Sequence, residues 1–242
     1  MELKNLFKAS AVATALLLAG CGGDINVTPT VVDNSVDNSV TNPSTGGGDS
    51  TTNVCASYEN TSGETVQGTY DGQDCSYSTA FVSASNPLST DVTLADLSND
   101  GVHYFLGSLV VGEGCNTDGG TCTIDTDGPT LTVEAGATVA FNQSTSFVLV
   151  NRGANIEAEG TLVDPITFTS VNEFTRLDSV GNGPQYGDWG GMMIDGFGIT
   201  DQCTDAQRAA STCSAESEGV TSYYGGSDNA DDSGTIKIVK IH

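Results

Sequence analysis

The chain has 242 residues, and 31 Asp and Glu against 7 Lys and Arg leave a formal net charge of −24. That balance excludes an electrostatic partnership with nucleic acid or with anionic lipid headgroups, which carry the same sign. With 37% apolar residues, 30 Gly, 8 Phe and 1 Trp, the composition is lean for an α/β enzyme core and suits a β-rich chain with many turns.

Lys4 and Lys8 precede an apolar run over residues 9–19 that is broken only by Ser10 and Thr14. The run is shorter than the ~20 apolar residues of a spanning helix. Small residues follow it, so residues 1–20 read as a secretory signal. Leu18-Ala19-Gly20-Cys21 resembles the lipobox of bacterial lipoproteins. The resemblance implies cleavage before Cys21 and acylation of its thiol and its new amino group. The protein would then join a membrane through lipid chains, each buried CH₂ contributing ~0.8 kcal/mol. Gly22 stands where an Asp would imply inner-membrane retention, so the resemblance implies the outer membrane, with the face left open. Loss of residues 1–20 removes Glu2, Lys4 and Lys8 and takes the formal charge to about −25.

Residues 21–53 form the lipid anchor and a linker. Val-Asp-Asn-Ser occurs at 32–35 and again at 36–39, and the stretch from Pro43 to Thr52 is rich in Ser, Thr and Gly. Such a segment buries too little apolar surface to offset its ordering entropy and is expected to be a disordered tether. Residues 54–128 alternate short apolar stretches with turn signals and are expected to form a β-rich cap. With Cys21 lipidated, six cysteines remain: Cys55, Cys75, Cys115, Cys122, Cys203 and Cys213. An exported chain meets an oxidising compartment, so disulfides are expected. Several pairings are open. Nearest-neighbour bridges Cys55–Cys75, Cys115–Cys122 and Cys203–Cys213 are favoured, because each pair brackets a turn-prone segment. No pair has the C-x₂-C spacing of a zinc site, and only His103 and His242 could add imidazoles.

From Pro129 the apolar alternation sharpens. Aligned on Gly136 and Gly153, Leu131 meets Val148, Val133 meets Val150, Ala137 meets Ala154, and Val139 meets Ile156, at an offset of 17 residues. Ile166-Thr167-Phe168 continues the series 18 residues after Val148. Each unit is a short strand, a glycine corner and another short strand, which predicts a solenoid. Gly153 to Thr161 followed by Asp164 to Ser170 resembles one coil of a right-handed parallel β-helix of the pectin-lyase-like kind. Gly187 to Gly196 is similar to the tryptophan-glycine strand that follows such coils, and Gly234 to Ile241 reads as the next strand. The resemblance implies an all-β fold over 129–242, with insertions at 171–187 and 196–233. The last strand-like run reaches His242 without a cap, so either the open end is expected to pair with another molecule or, the favoured reading, the chain is expected to be a shortened version of a longer β-helix.

Chemistry is sparse. No P-loop, dinucleotide fingerprint, H-E-x-x-H or G-x-S-x-G occurs. His103 lies in a strand-like run and is expected to be structural. Trp189 is expected to pack in the core or at a corner, and Arg152, beside Gly153, to be solvated at a coil corner. Asp228, Asp231 and Asp232, in the turn 228–234, are the best ion-binding candidates, with calcium as the cation; their spacing departs from the EF-hand loop. β-Helix relatives include polysaccharide lyases and glycosidases, yet no acid pair is singled out by pattern. The expected role is a lipid-anchored envelope or cell-surface structural or binding protein, in adhesion, envelope assembly or the binding of a glycan or a surface protein, without nucleic acid and without evident catalysis. The alternative is part of a polysaccharide-active enzyme.

Overall fold

The computed structural model describes residues 52–114 and 127–242, all within one compact unit, Asp49–His242. Its strands are short; those over Val92–Leu94, Thr130–Val133 and Asn155–Glu159 alternate buried apolar with outward polar residues, whereas Leu109–Val111 and Val148–Val150 are apolar and buried throughout. A hairpin of β1 (Ser57–Glu59) and β2 (Thr65–Gln67) comes first, followed by the antiparallel pair β3 (Thr69–Tyr70) and β4 (Cys75–Tyr77). Three coils follow. The first holds β5 (Val92–Leu94), β6 (His103–Phe105) and β7 (Leu109–Val111). The second holds β8 (Thr130–Val133), β9 (Thr138–Phe141) and β10 (Val148–Val150). The third holds β11 (Asn155–Glu159), β12 (Ile166–Ser170) and β13 (Met192–Ile194). A hairpin of β14 (Ala215–Glu216) and β15 (Tyr223–Tyr224) lies in the 196–233 insertion, and β16 (Gly234–Lys237) and β17 (Val239–Ile241) begin a fourth turn.

Like strands of successive coils pair in parallel. One sheet runs β5-β8-β11-β16, a second runs β4-β6-β9-β12-β17 with β3 on its edge, and a third runs β7-β10-β13. The chain therefore visits three sheets in the same order on each turn, the topology of a parallel β-helix. This pairing reaches back to β4, so coil-like stacking begins well before residue 129.

The register stacks like positions into columns. Val92, Leu131 and Ile156 form one, Leu94, Val133 and Ala158 a second, and Val111 and Val150 a third; all are buried. Each fully buried aliphatic or aromatic side chain contributes about 1.5–3 kcal/mol. Rings add a ladder: Tyr77 stacks on Phe105 at 4.6 Å, Phe105 on Phe141 at 5.8 Å, and Phe141 on Trp189 at 5.0 Å between centroids. Trp189 takes the place above Phe141 that strand register gives to Ser170, and its Nε1 donates to the His242 carbonyl at 2.7 Å. In the last rung the columns end on Ile194, Ile236 and Ile241, which are 42%, 40% and 57% exposed.

The stacking interval corrects the sequence alignment. Leu131 pairs with Ile156, 25 residues on, while Val148 belongs to a different sheet and pairs with Leu109 and Met192. The 17-residue interval instead relates two corners that share one turn. Ala137 N donates to Glu134 O and Ala154 N to Asn151 O, with Gly136 and Gly153 at φ +91° and +83° in the third position. A positive φ there is the demand glycine meets without strain.

Two disulfides join nearest neighbours as expected, Cys55–Cys75 and Cys203–Cys213. Cys115, Cys122 and Cys21 lie outside the described residues. A short helix α1 (Asp205–Ala209) also forms, and Thr204-Asp205-Ala206-Gln207 carries its capping-box signature, with Thr204 Oγ1 accepting from Gln207 N and Gln207 Oε1 accepting from Thr204 N.

Candidate functional site

The 196–233 insertion folds back onto the coil flank, and Arg152 holds it there. Val150 ends β10, and the turn Asn151-Arg152-Gly153-Ala154 carries Arg152 off the corner. Sequence reasoning expected solvent at this corner. Arg152 is instead 2% exposed, because the insertion covers it. Its Nη1 donates to the carbonyls of Cys213 at 3.0 Å and Gly225 at 2.7 Å, its Nη2 donates to Ser214 Oγ at 2.8 Å, and its guanidinium lies over the Phe197 ring. Burial pushes the guanidinium below its ordinary value, while the negative charge of Asp195 opposes that shift. Asp195 follows β13 directly; its N–H donates to Val150 O and its Oδ1 accepts from Ser217 Oγ. Arg152 Nε is buried without a partner, as are Asp195 Oδ2 and Ser222 Oγ.

Beside Arg152 the insertion encloses a cavity of about 460 Å³. Its lining includes Arg152, Phe197, Arg208, the Cys213 end of the disulfide, and Asp228, Asp231 and Asp232. Arg208 is occupied: it pairs with Asp205 at 2.5 Å and donates to the carbonyls of Thr200 and Cys203. Each of the three carboxylates caps one backbone N–H. Asp228 Oδ1 accepts from Ala230 N at 2.9 Å, Asp231 Oδ2 from Phe197 N at 2.7 Å, and Asp232 Oδ1 from Gly234 N at 2.9 Å. Their other oxygens take no protein hydrogen bond, and none of the three is in an ion pair. The sequence singled out the three acids as a turn that could hold calcium; the chain brings them to one cavity, where each fixes a backbone N–H. No group of three or more His, Cys, Asp or Glu able to hold a metal ion occurs among the described residues. A second cavity, about 710 Å³, is also lined by Arg152 and includes Asp91, Thr90 and Gly153 in its wall.

The remaining candidates sit elsewhere. His103 is buried inside the first coil. Its Nε2 donates to Ala95 O at 2.7 Å, so its Nδ1 is the acceptor for the Tyr77 hydroxyl at 2.8 Å. Desolvation lowers its pKa, with Ala95 O and the charges of Asp96 and Glu134 opposing. Trp189, half-buried in the ring ladder, belongs to the fold. A polar network missed by sequence reasoning joins the 171–187 insertion to the first coil: Arg176 grips buried Asp74 through Nε and Nη2, both at 2.7 Å, and donates to Asp100 O.

The coil topology has a counterpart in the sequence: residues 118–242 match the family model described as a pectate-lyase like beta helix domain. The chain belongs to this β-helix family. No curated protein and no solved structure matches it. Family membership brings a scaffold and leaves the chemistry to the side chains of each member. In this β-helix the cavity wall holds guanidinium groups, hydroxyls, carboxylates and one ring, with neither an imidazole nor a free thiol. Asp228 and Asp232 face solvent, unlike a general acid held in a water-poor pocket. The arrangement can bind cations and hydrogen-bond hydroxyl groups.

Proposed function

We propose that the protein is an outer-membrane lipoprotein, anchored through acylated Cys21, whose right-handed β-helix binds a glycan at the cell surface or envelope without cleaving it. The observation that carries this reading is the cavity beside Arg152. It joins Ser211 and Ser227 hydroxyls, the Phe197 ring and carboxylates fixed by backbone N–H groups, and groups of this kind bind hydroxylated rings. Its volume falls in the range of small-molecule sites, roughly 300–1,000 Å³. Right-handed coils follow from the strong preference of parallel β crossovers. The signal-like segment and lipobox support the anchor, and the low-complexity stretch 21–53 supports a tether that holds the coils away from the bilayer. With a formal charge of −24, polyuronates are poor ligands for this surface.

The second reading, a polysaccharide-active enzyme, is favoured by the family alone. One experiment separates them. The full chain in non-ionic detergent is passed over immobilised neutral, acidic and amino-group-bearing polysaccharides, with and without calcium, and the eluates are assayed for reducing ends and unsaturated products. Retention without new ends is the expected result, and cleavage of any member of the panel would establish the enzyme reading instead. Replacing Cys21 by Ala should abolish incorporation of a labelled fatty acid in cells.

A further inference from the structure

The 171–187 insertion carries the chain's single Asn-Gly dipeptide, Asn182-Gly183. This pairing is chemically labile: a glycine has no Cβ to hinder its backbone nitrogen from reaching the side-chain amide of the asparagine before it. The approach is open here. Asn182 is exposed, and nothing lies within 4 Å of the place a Cβ would take on Gly183. One contact opposes the attack. Gly183 N–H donates to Asp178 Oδ2 at 2.9 Å, while Asp178 Oδ1 accepts from Val180 N at 3.0 Å and Gly181 N at 2.7 Å. The Gly183 and Gly181 hydrogen bonds hold the Asp178 carboxyl below its ordinary value, so the acceptor is anionic at neutral pH. The Gly183 nitrogen must leave this carboxylate before it can attack, and its proton is harder to remove beside a negative charge.

We propose that Asn182 is a site of spontaneous deamidation and that Asp178 sets its rate by holding the attacking Gly183 nitrogen. In the reaction Gly183 N loses its proton to solvent and bonds to Asn182 Cγ. The Cγ–Nδ2 bond breaks, and the amide nitrogen takes a proton from solvent and leaves as ammonia. The product is a cyclic imide. Water then opens the ring: cleavage at Cγ gives aspartate, and cleavage at the main-chain carbonyl gives isoaspartate. Asn182 and one water thus become a carboxylic acid and ammonia, with no change of oxidation state. Either product weakens the Asp178 clamp. Both place a new carboxylate beside that of Asp178, and like charges repel. Isoaspartate also adds a carbon to the backbone before Gly183, which shifts Gly183 N away from Asp178 Oδ2. Conversion therefore runs one way and releases the turn that Asp178 folds.

The full chain in non-ionic detergent, held at mildly alkaline pH, tests this. The peptide that contains Asn182 is followed by mass spectrometry, with fragmentation that separates aspartate from isoaspartate. Asp178→Ala should convert about tenfold faster than the native wild-type chain, the weight of one hydrogen bond to a charged group. The wild-type chain in urea, where no clamp exists whatever the variant does, should convert at least as fast as Asp178→Ala. Amide exchange protection kept in β12, just before the insertion, shows that the variant is folded. Asn182→Asp supplies the new charge without waiting for the reaction, and its 178–188 segment should be cut several-fold faster by a protease, as released loops are. Asn182 left intact in all three conditions, or converting in Asp178→Ala and in urea no faster than in the native wild type, would overturn the inference. Unchanged proteolysis of Asn182→Asp would overturn the release of the turn.

Discussion

Replacing Arg152 by Ala is expected to cost about 3–5 kcal/mol of stability in the insertion and to leave the coils folded. The guanidinium grips Cys213 O, Gly225 O and Ser214 Oγ together, and it reaches them across 61 to 73 residues of chain. Its removal strands buried acceptors, each costing about 1–3 kcal/mol when left unpaired. It also leaves Asp195 without the nearby positive charge, while the desolvation cost of burying Arg152 disappears and limits the total. The coils keep their own columns, because Leu131 and Val133 stack on Ile156 and Ala158; the insertion meets them at the outer edge of β11, where Ile156 N donates to Ser233 O. Amide hydrogen exchange should therefore show protection lost across 196–233 and kept in β8, β9, β11 and β12. Uniform loss of protection would mean that the insertion and coils unfold as one unit, and unchanged protection would mean that Arg152 does not hold the insertion.

Replacing Arg176 by Ala is expected to destabilise the fold by about 3 kcal/mol, the lower end for breaking a buried ion pair. Asp74 is the reason. Its side chain is 2% exposed, whereas that of Arg176 is 35% exposed, so loss of the arginine leaves a carboxylate where water cannot reach it. Asp74 Oδ1 still accepts from Val102 N at 2.8 Å, which keeps the cost from the upper end. The pair should therefore behave asymmetrically under rescue. Adding Asp74→Asn to Arg176→Ala removes the buried charge and keeps the acceptor for Val102, and should restore more than half of the loss in urea denaturation. No rescue would show that the arginine acts through packing on Phe174, over whose ring its guanidinium sits, rather than through the charge of Asp74.

The strands were legible from the sequence because period-2 alternation is a local property. Leu131 and Val133, Ile156 and Ala158, and Ile166 and Phe168 point inward as their spacing requires. Their stacking partners were not legible. The turns at Gly136 and Gly153 share one geometry, so the sequence around them is similar although they serve different corners, and similarity of turns was read as a repeat of coils. The true intervals, from Leu131 to Ile156 and from Val148 to Met192, differ because insertions of unequal length separate the coils. The nearest-neighbour disulfides were legible, since loops of 20 and 10 residues close on themselves without help from the rest of the fold. Arg152 was misread for the opposite reason: a charged residue at a turn is solvated by default, and only contacts with residues 197, 213, 214 and 225 reverse that. The acids of 228–232 were found by their type and spacing in one turn, which could not show that they line one cavity.

The coil register underlies everything above, since it carries Arg152 and the insertion to the same flank, and a cross-linking experiment reads it directly. Thr132 and Glu157 are paired neighbours on parallel strands, and strands about 4.8 Å apart lie within the ~4.4–6.8 Å window that a disulfide spans. Oxidised Thr132→Cys/Glu157→Cys protein should yield the 132–157 cross-linked peptide by mass spectrometry, and Thr132→Cys/Leu149→Cys should yield none. A 132–149 cross-link with no 132–157 product would contradict the account.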